Sequence, residues 1–326
     1  MAVFDEPEDW LKLSIESILK QTFTSFEFII ILDCHTNYKA KEIINNYSLK
    51  DSRIKFFTNE SNIGLAKSLN KALKIASGEL IARMDADDIS IENRIETQYR
   101  FLKKNKNIDL VGSWVIKINN KGEKIGLRKV GKDIIKLRRI INYTSIAIHP
   151  TWMFRKSILK KLYGYRFFPR SQDRDFMFRL IENGYQISNI QKPLLFKRVI
   201  MDSFSDNNIY SRLYSLKLSK YIDQLHNERI HKLQEDYSEN KIKEIKEDVN
   251  KMKKISFYMF KYSYKIFLNC KYNWDRGNYF FSFFLLVLSM CLSKLQFFFV
   301  MRKFRSILFV HLNHLKSSMV NLEKIF

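Results

Sequence analysis

Five consecutive apolar residues, Phe28-Ile29-Ile30-Ile31-Leu32, run without interruption into Asp33. A strand with one wet face alternates apolar and polar side chains, so an unbroken apolar run that stops at a carboxylate describes a strand buried on both faces. Such strands belong to layered sheets covered by helices, and the flanking chain supplies them. Leu11, Ile15, Ile18 and Leu19 recur at helical spacing before the run; Leu65, Leu69, Ala72, Leu73 and Ala76 recur after it, up to Gly78. Ile54 to Thr58, Leu80 to Met84 and Leu110 to Ile118 read as further strands. Asn119-Asn120-Lys121-Gly122 reads as a hairpin turn, because Asn and Gly tolerate positive φ. Residues 1–201 therefore read as one α/β domain with a mixed, mostly parallel sheet flanked by helices. At 326 residues, 46% hydrophobic with only 9 Gly and 4 Pro, the chain can bury one large core and carry a second, smaller region.

That second region is 202–326, where Gly and Pro nearly vanish, Lys, Tyr and Phe accumulate, and segments such as Asn240 to Lys254 have the pattern of helices with charged faces. Tyr279 to Ser293 is an almost unbroken apolar and aromatic run, interrupted by Lys294 and resumed from Leu295 to Met301. At about 1.5 Å per residue the whole stretch reaches across a hydrocarbon core, but its uninterrupted part is shorter than the ~20 residues a spanning helix prefers. Ser282, Ser289, Ser293 and Gln296 share one helical stripe, and Arg302, Lys303 and Arg305 follow as cationic anchors do at a headgroup boundary. Three readings stay open, in this order: an interfacial or re-entrant helix, a true span, a buried core helix.

Lys and Arg number 57 against 34 Asp and Glu, a formal charge of +23 that implies attraction to a polyanion: nucleic acid, an anionic lipid surface or a phosphorylated substrate. Cys34, Cys270 and Cys291 are widely spaced with no C-x-x-C pair, which argues against a disulfide framework and a zinc site and fits a reducing compartment. Met1 to Trp10 is acidic and lacks the basic-then-apolar pattern of a secretion signal, so a cytosolic catalytic part is expected.

Three carboxylates occupy four positions in Arg83-Met84-Asp85-Ala86-Asp87-Asp88, directly after the apolar run Leu80-Ile81-Ala82. Crowded carboxylates repel one another unless a cation or a proton intervenes, so the spacing points to a divalent metal and a phosphorylated ligand. The plainer alternative is a solvated loop in which Asp88 caps a helix starting at Ile89-Ser90-Ile91-Glu92. Ligands of open α/β sheets gather beyond the carboxyl ends of the strands, so Asp33 and Asp85 to Asp88 are expected to share one crevice, with Gly64 where a backbone can approach a ligand closely.

The run Met1-Ala2-Val3-Phe4-Asp5-Glu6-Pro7, the segment Ser14 to Phe23 (SIESILKQTF), the strand end Leu32-Asp33, Asn59 to Leu65 (NESNIGL) and Ala82 to Asp88 (ARMDADD) together resemble the family 2 glycosyltransferases, which have the GT-A nucleotide-sugar fold. The resemblance spans about two thirds of the chain, with the blocks in the family's order. It implies that Val3, Phe4 and Glu6 line the base and ribose pocket, that Asp33 hydrogen-bonds the nucleobase, and that Arg83 and Asp85 sit near ribose and diphosphate. Asp87 would coordinate the metal, Mn2+ or Mg2+. Ser171 to Leu180 resembles the family's acidic motif at the start of a helix beside the acceptor; Asp173 matches its general base, the alternative being a helix N-terminal carboxylate favoured by the dipole, and Asp175 reads as structural. His149, in His149-Pro150-Thr151, and Arg179 are further candidates on the acceptor and diphosphate side, against satisfied structural roles for both.

Departures from the family pattern are Met1 already lying inside the first strand, Asp5 in place of Asn, Cys34-His35-Thr36 in place of Gly-Ser-Thr, and Gln172 in place of Glu. No Gln-x-x-Arg-Trp segment of the processive synthases is present, so one sugar per encounter is expected. The expected activity is metal-dependent, inverting transfer of a sugar from a nucleotide-diphosphate donor to a lipid-linked saccharide acceptor in bacterial surface polysaccharide assembly. The expected place is the cytoplasmic face of the inner membrane, peripheral or with one C-terminal membrane helix. Phosphoryl transfer would want a Gly-rich phosphate loop or a P-loop lysine, and neither is present. A non-catalytic protein binding nucleic acid or anionic membrane through its charge is the alternative; the basic residues are spread among acidic ones rather than gathered in a tract, which disfavours nucleic acid.

Overall fold

The structure, a computed structural model, describes residues 1–34, 36–132, 145–199, 206–252, 254–275 and 278–293, together with 297, 300 and 301. His35, the 201/202 boundary, Lys294 to Gln296 and the basic residues Arg302, Lys303 and Arg305 lie outside the described residues. The described residues up to 199 form one compact unit and those from 206 onward a second.

In the first unit, β1 (Ala2–Val3), β2 (Phe28–Leu32) and β3 (Ile54–Thr58) form a parallel sheet in the order β1-β2-β3. Parallel neighbours need a crossover, and α1 (Glu8–Leu19) and α2 (Tyr38–Ser48) provide it. All five residues of β2 are buried, and Leu11, Ile15 and Ile18 of α1 and Ile43 and Ile44 of α2 close over the same core. Cutting the fully buried Ile30 back to Ala costs about 2–5 kcal/mol of stability. Helix α3 (Leu65–Ile75) follows β3 and buries Leu69 and Leu73.

The second sheet contains β4 (Leu80–Ala82), β5 (Ile89–Ser90), β6 (Leu110–Ile118), β7 (Lys124–Arg128), β8 (Met153–Arg155) and β9 (Ile187–Arg198), ordered β4-β8-β6-β9-β5 with β7 on β6. Helix α4 (Arg94–Lys104) precedes β6, and α5 (Gln172–Glu182) precedes β9. The expected mixed sheet is found, but "mostly parallel" is corrected: among the described residues, of seven pairings, β1-β2, β2-β3 and β6-β9 are parallel and the other four antiparallel. The reason is connection length. Only β1 to β3 are joined in sequence by single helical crossovers, whereas β6 turns straight back into β7 at Asn119 to Gly122, where Asn119 Oδ1 accepts from Lys121 and Glu123 N and Gly122 has φ +84°.

A parallel bridge between Ala2 and Asp85 connects the three-stranded sheet with the loop after β4. A cavity of about 390 Å³ lies alongside, lined by apolar residues including Phe28, Ile29, Leu73, Leu80 and Met153 and by none of the clustered aspartates.

The second unit consists of α6 (Asp206–Ile230), α7 (Glu239–Asn250), α8 (Lys254–Asp275) and α9 (Tyr279–Leu292). Its core unites Ile209 and Leu213 of α6, Val249 of α7 and Phe257, Phe260 and Tyr264 of α8. Ser238 caps α7 through bonds to Asn240 and Lys241 N, and the helix stops at Asn250 rather than at the expected Lys254. Among the described residues no helix is long and apolar enough to cross a membrane. On α9, Tyr279, Phe280, Phe283 and Phe284 are exposed while Ser282 and Ser289 are buried.

Candidate active site

The acidic segment Asp85 to Asp88 is pinned from several directions. Ser14 Oγ of α1 donates to Asp85 O at 3.3 Å. Arg198, at the end of β9, donates its backbone N to Asp88 Oδ1 at 2.8 Å and its Nε to Asp87 O at 3.0 Å. Its Nη1 donates to the carbonyls of Asn119 and Asn120 in the β6-β7 turn. The guanidinium also lies over the Trp10 ring, 4.4 Å from its centroid. The helix-cap reading of Asp88 is thereby corrected: Ile89 and Ser90 pair with β9 as a strand, and α4 begins at Arg94 behind Asn93.

Ligand oxygens of Asp85, Asp87 and Asp88 lie within 4.8 Å of one another. Burial pushes the Asp85 carboxyl up, but Arg83, ion-paired to it, and then Lys197 outweigh burial and hold it at about 2. Asp87 is raised, by burial first and the Asp85 charge second. Asp88 is raised to about 7 by burial, with Lys197 partly opposing. Lys197 Nζ stands 3.7 Å from Asp85 Oδ2 and 4.0 Å from Asp88 Oδ2, and that Asp88 oxygen is buried with no hydrogen bond. One firmly ionised carboxylate beside two that are held above their ordinary range, one with an unused buried oxygen, is a set that a hard divalent cation would satisfy. An all-oxygen donor set suits Mg2+ or Mn2+.

Arg83 is the hub of the surrounding electrostatics. Its backbone N donates to Trp152 O, its carbonyl accepts from Arg94 Nη2, and its side chain is buried, with Nε and Nη1 making no hydrogen bond. Unsatisfied N–H groups on a buried guanidinium match the oxygens of a phosphate or carboxylate. The same charge acts on His149 and Asp173. Burial, then Arg83, pushes His149 well below its ordinary pKa, so its imidazole is neutral; Nε2 sits 2.9 Å from the Tyr165 hydroxyl, and the ring meets Trp152 edge-on. Asp173, half-buried in the first turn of α5, is raised by burial, with Arg83 opposing. Asp85, His149 and Asp173, carried by the segment after β4, the 3-10 turn at His149–Thr151 and α5, thus all lie within electrostatic reach of Arg83, and Asp87, Asp88 and Lys197 adjoin Asp85.

The residues expected on the nucleotide side divide differently. The Val3 side chain is buried in the core, and its carbonyl accepts from Asp33 N, whereas Phe4 is exposed. Glu6 Oε2 accepts from Phe4 N at 2.8 Å, and its carboxyl is raised by burial, with Asp87 and Asp85 adding. Asp33 takes Asn59 Nδ2 and Ile63 N on Oδ1 and Gly64 N on Oδ2, at 2.8 to 2.9 Å. Gly64 at φ +86° turns the chain so that its N–H meets that carboxylate, in a backbone state other residues rarely adopt. Arg179 is drawn into packing: Nε bonds Asp175, and Nη1 and Nη2 bond the carbonyls of Leu162 and Gly164. Its partner Asp175 is fully buried.

Lys197, Tyr165 and Arg198 were absent from the expected site. The run Leu194-Leu195-Phe196 into Lys197-Arg198 repeats the apolar-then-charged strand-end pattern of β2 and could have flagged two of them; nothing local marks Tyr165.

The model of the family described as "Glycosyl transferase family 2" matches residues 1–163. An uncharacterized glycosyltransferase of Methanocaldococcus jannaschii is 42% identical over 224 residues, covering 68% of this chain and 75% of that protein. An Escherichia coli enzyme named UDP-Gal:alpha-D-GlcNAc-diphosphoundecaprenol beta-1,3-galactosyltransferase is 30% identical, covering 57% and 67%. Among solved structures, a mannosyltransferase of Pyrobaculum calidifontis in complex with GDP-Man and Mn2+ superposes with a TM-score of 0.55 at 11% identity, over 94% of this chain and 86% of that one. With a GT-A-like α/β fold and these relatives, the chain belongs to glycosyl transferase family 2 and is a glycosyltransferase.

Proposed function

We propose that this glycosyltransferase catalyses metal-dependent, inverting transfer of a sugar from a nucleotide-diphosphate donor to a hydroxyl of a lipid-linked saccharide. The observation that carries the reading is the meeting of three carboxylates within 4.8 Å with the unpaired, buried N–H groups of Arg83. One side is built for a cation and the other for an anion, which is the charge pattern of a metal-bound diphosphate.

Asp87, with Asp85 and Asp88, would hold Mn2+ or Mg2+; when bound, the ion supplies positive charge against the diphosphate as the bond to the sugar breaks. Arg83 binds diphosphate oxygens through Nε and Nη1. Asp173 accepts the proton of the acceptor hydroxyl as that oxygen bonds to the anomeric carbon, and the nucleoside diphosphate leaves from the opposite face, inverting the centre. A carboxyl raised by burial is the better base, because it binds the proton more firmly once ionised. Neutral His149 orients Tyr165 and lines the acceptor side. Asp33 and Gly64 shape the loop against which the nucleobase rests, together with the Val3 backbone, Phe4 and Glu6.

Support for the donor and acceptor classes comes from relatives: one is named for UDP-Gal and a diphosphoundecaprenol-linked GlcNAc, and a structural neighbour is solved with GDP-Man and Mn2+. A net charge of +23 favours an anionic membrane face, each basic residue near the surface contributing about 1 kcal/mol. The test is a screen of sugar nucleotides with Mn2+ or Mg2+, scored by nucleoside diphosphate release. Release from one donor class, dependent on the ion and stimulated by a diphospholipid-linked sugar, supports the reading; release that is indifferent to chelator removes the metal from it.

A further inference from the structure

We propose that α8 and α9 form a hairpin that inserts its exposed aromatic face into the acyl region of one membrane leaflet. The inference deepens the reading of a membrane-borne acceptor, and its test reads lipid contact rather than sugar transfer, so either can fail alone.

The hairpin is packed inside out. Where α8 meets α9, serines are buried against each other: Ser263 Oγ donates to Ser289 O at 2.7 Å, Ser289 Oγ donates to Ser263 O at 2.9 Å, and both side chains are 0% exposed. Ser282, a turn and more away on α9, is equally buried and bonds Asn278 O. The outward positions of α9 are Phe280, Phe283, Phe284, Val287 and Leu288, at spacings of three, one, three and one; Phe280 is 91% exposed. On α8, Tyr258, Met259 and Tyr262 are exposed as well. Water drives the opposite arrangement, and the same helix shows it elsewhere: toward α6 and α7, α8 buries Phe257, Phe260 and Tyr264. Small hydroxyl residues at a helix seam with apolar side chains outside is the arrangement of helices surrounded by lipid, where no hydrophobic force sorts the two faces and small residues let the helices approach.

Length and charge select the mode of contact. Fourteen residues of α9 extend about 21 Å, short of the ~30 Å hydrocarbon core, and no described helix can cross a membrane, so the hairpin reaches into one leaflet. The serine pairing matters for the same reason, since it satisfies hydroxyls that would otherwise be stranded in hydrocarbon. Lys265 is exposed on α8, and the sequence beyond α9 carries Lys294, Arg302, Lys303 and Arg305. These charges complement anionic headgroups rather than the apolar face of a second copy.

The full-length protein is floated with vesicles of phosphatidylcholine and phosphatidylglycerol, at low salt and at salt high enough to screen surface charge. The wild type is expected to stay bound in high salt, and a variant carrying Phe280→Ser, Phe283→Ser and Phe284→Ser to partition at least about tenfold less, with donor hydrolysis unchanged. A separate Phe284→Trp variant is expected to gain fluorescence that lipids brominated in mid-chain quench. Full release of the wild type by salt together with no quenching overturns the proposal, as does a dimer in sedimentation that the triple variant dissolves while the wild type ignores vesicles.

Discussion

Two strands of this enzyme, β2 and β4, run out into aspartates within a few residues, and the two ends have opposite needs. At the end of β2, Asp33 is buried and already accepts three hydrogen bonds from its own chain, from Asn59, Ile63 and Gly64. Beyond β4, Asp87 and Asp88 stand above the ordinary carboxylate range, and Asp88 Oδ2 is buried with no hydrogen bond. A carboxylate at a strand end can therefore be engaged mainly by its own loop. What distinguishes the second end is negative charge left over after the protein's own donors have been assigned.

The sharpest way to break this contrast is Asp87→Ala, for which turnover should fall by about a thousandfold or more, since charge stabilisation of the leaving group is lost. Steady-state assay with saturating ion checks it, and full activity would remove Asp87 from the mechanism. Asp173→Asn should lower kcat by about 10²- to 10⁴-fold without weakening donor binding. Asp173 must be ionised to take a proton, so the wild-type rate should fall as pH drops through its raised pKa, with the acidic limb above the usual ~4 of a carboxylate. A rate-pH profile measures this limb, and a limb at or below the ordinary value would contradict the role. At the other strand end the effect is on folding: Asp33→Ala leaves three donors without their acceptor and should cost about 2–4 kcal/mol in urea unfolding. An unchanged midpoint would show that Asp33 is not the clasp of its loop. The smallest effect is expected for Lys197→Gln, which removes a resident cation from the cluster and should tighten Mn2+ binding by about two- to fivefold in calorimetry without donor. Weaker binding would mean that Lys197 supports the ion rather than competing with it.

What could be read from the chain follows from how local its causes are. β2 and β6 were legible because each is a mostly apolar stretch whose burial shows in its own residues, β3 because Ile54, Phe56 and Phe57 mark a short strand although only Ile54 is buried, and the β6-β7 turn because Asn119 and Gly122 carry it. β5 and β8 were not: at two and three residues they carry no periodicity and exist because partners pair with them, so Ile89-Ser90 looked like a helix start. β9 was hidden by Gln191-Lys192-Pro193 in its middle, at the irregular register of its pairing with β6. That omission removed Lys197 and Arg198 from the expected site, since only pairing of β9 brings them some 110 residues back to Asp87 and Asp88. Asp85, Asp87 and Asp88 were visible because crowding of like charges is itself local. For Arg179 the structural alternative is the one found, through Asp175 and the carbonyls of Leu162 and Gly164, and those backbone partners are announced by no side-chain pattern.

The central claim is that the acidic cluster binds a divalent cation which in turn binds a nucleotide diphosphate, and calorimetric titration of UDP and GDP into the protein tests it most directly. With Mn2+ or Mg2+ present, wild type and Asp173→Asn should bind one of the two, and Asp87→Ala should not. Equal binding by all three proteins in the presence of a chelator would contradict it.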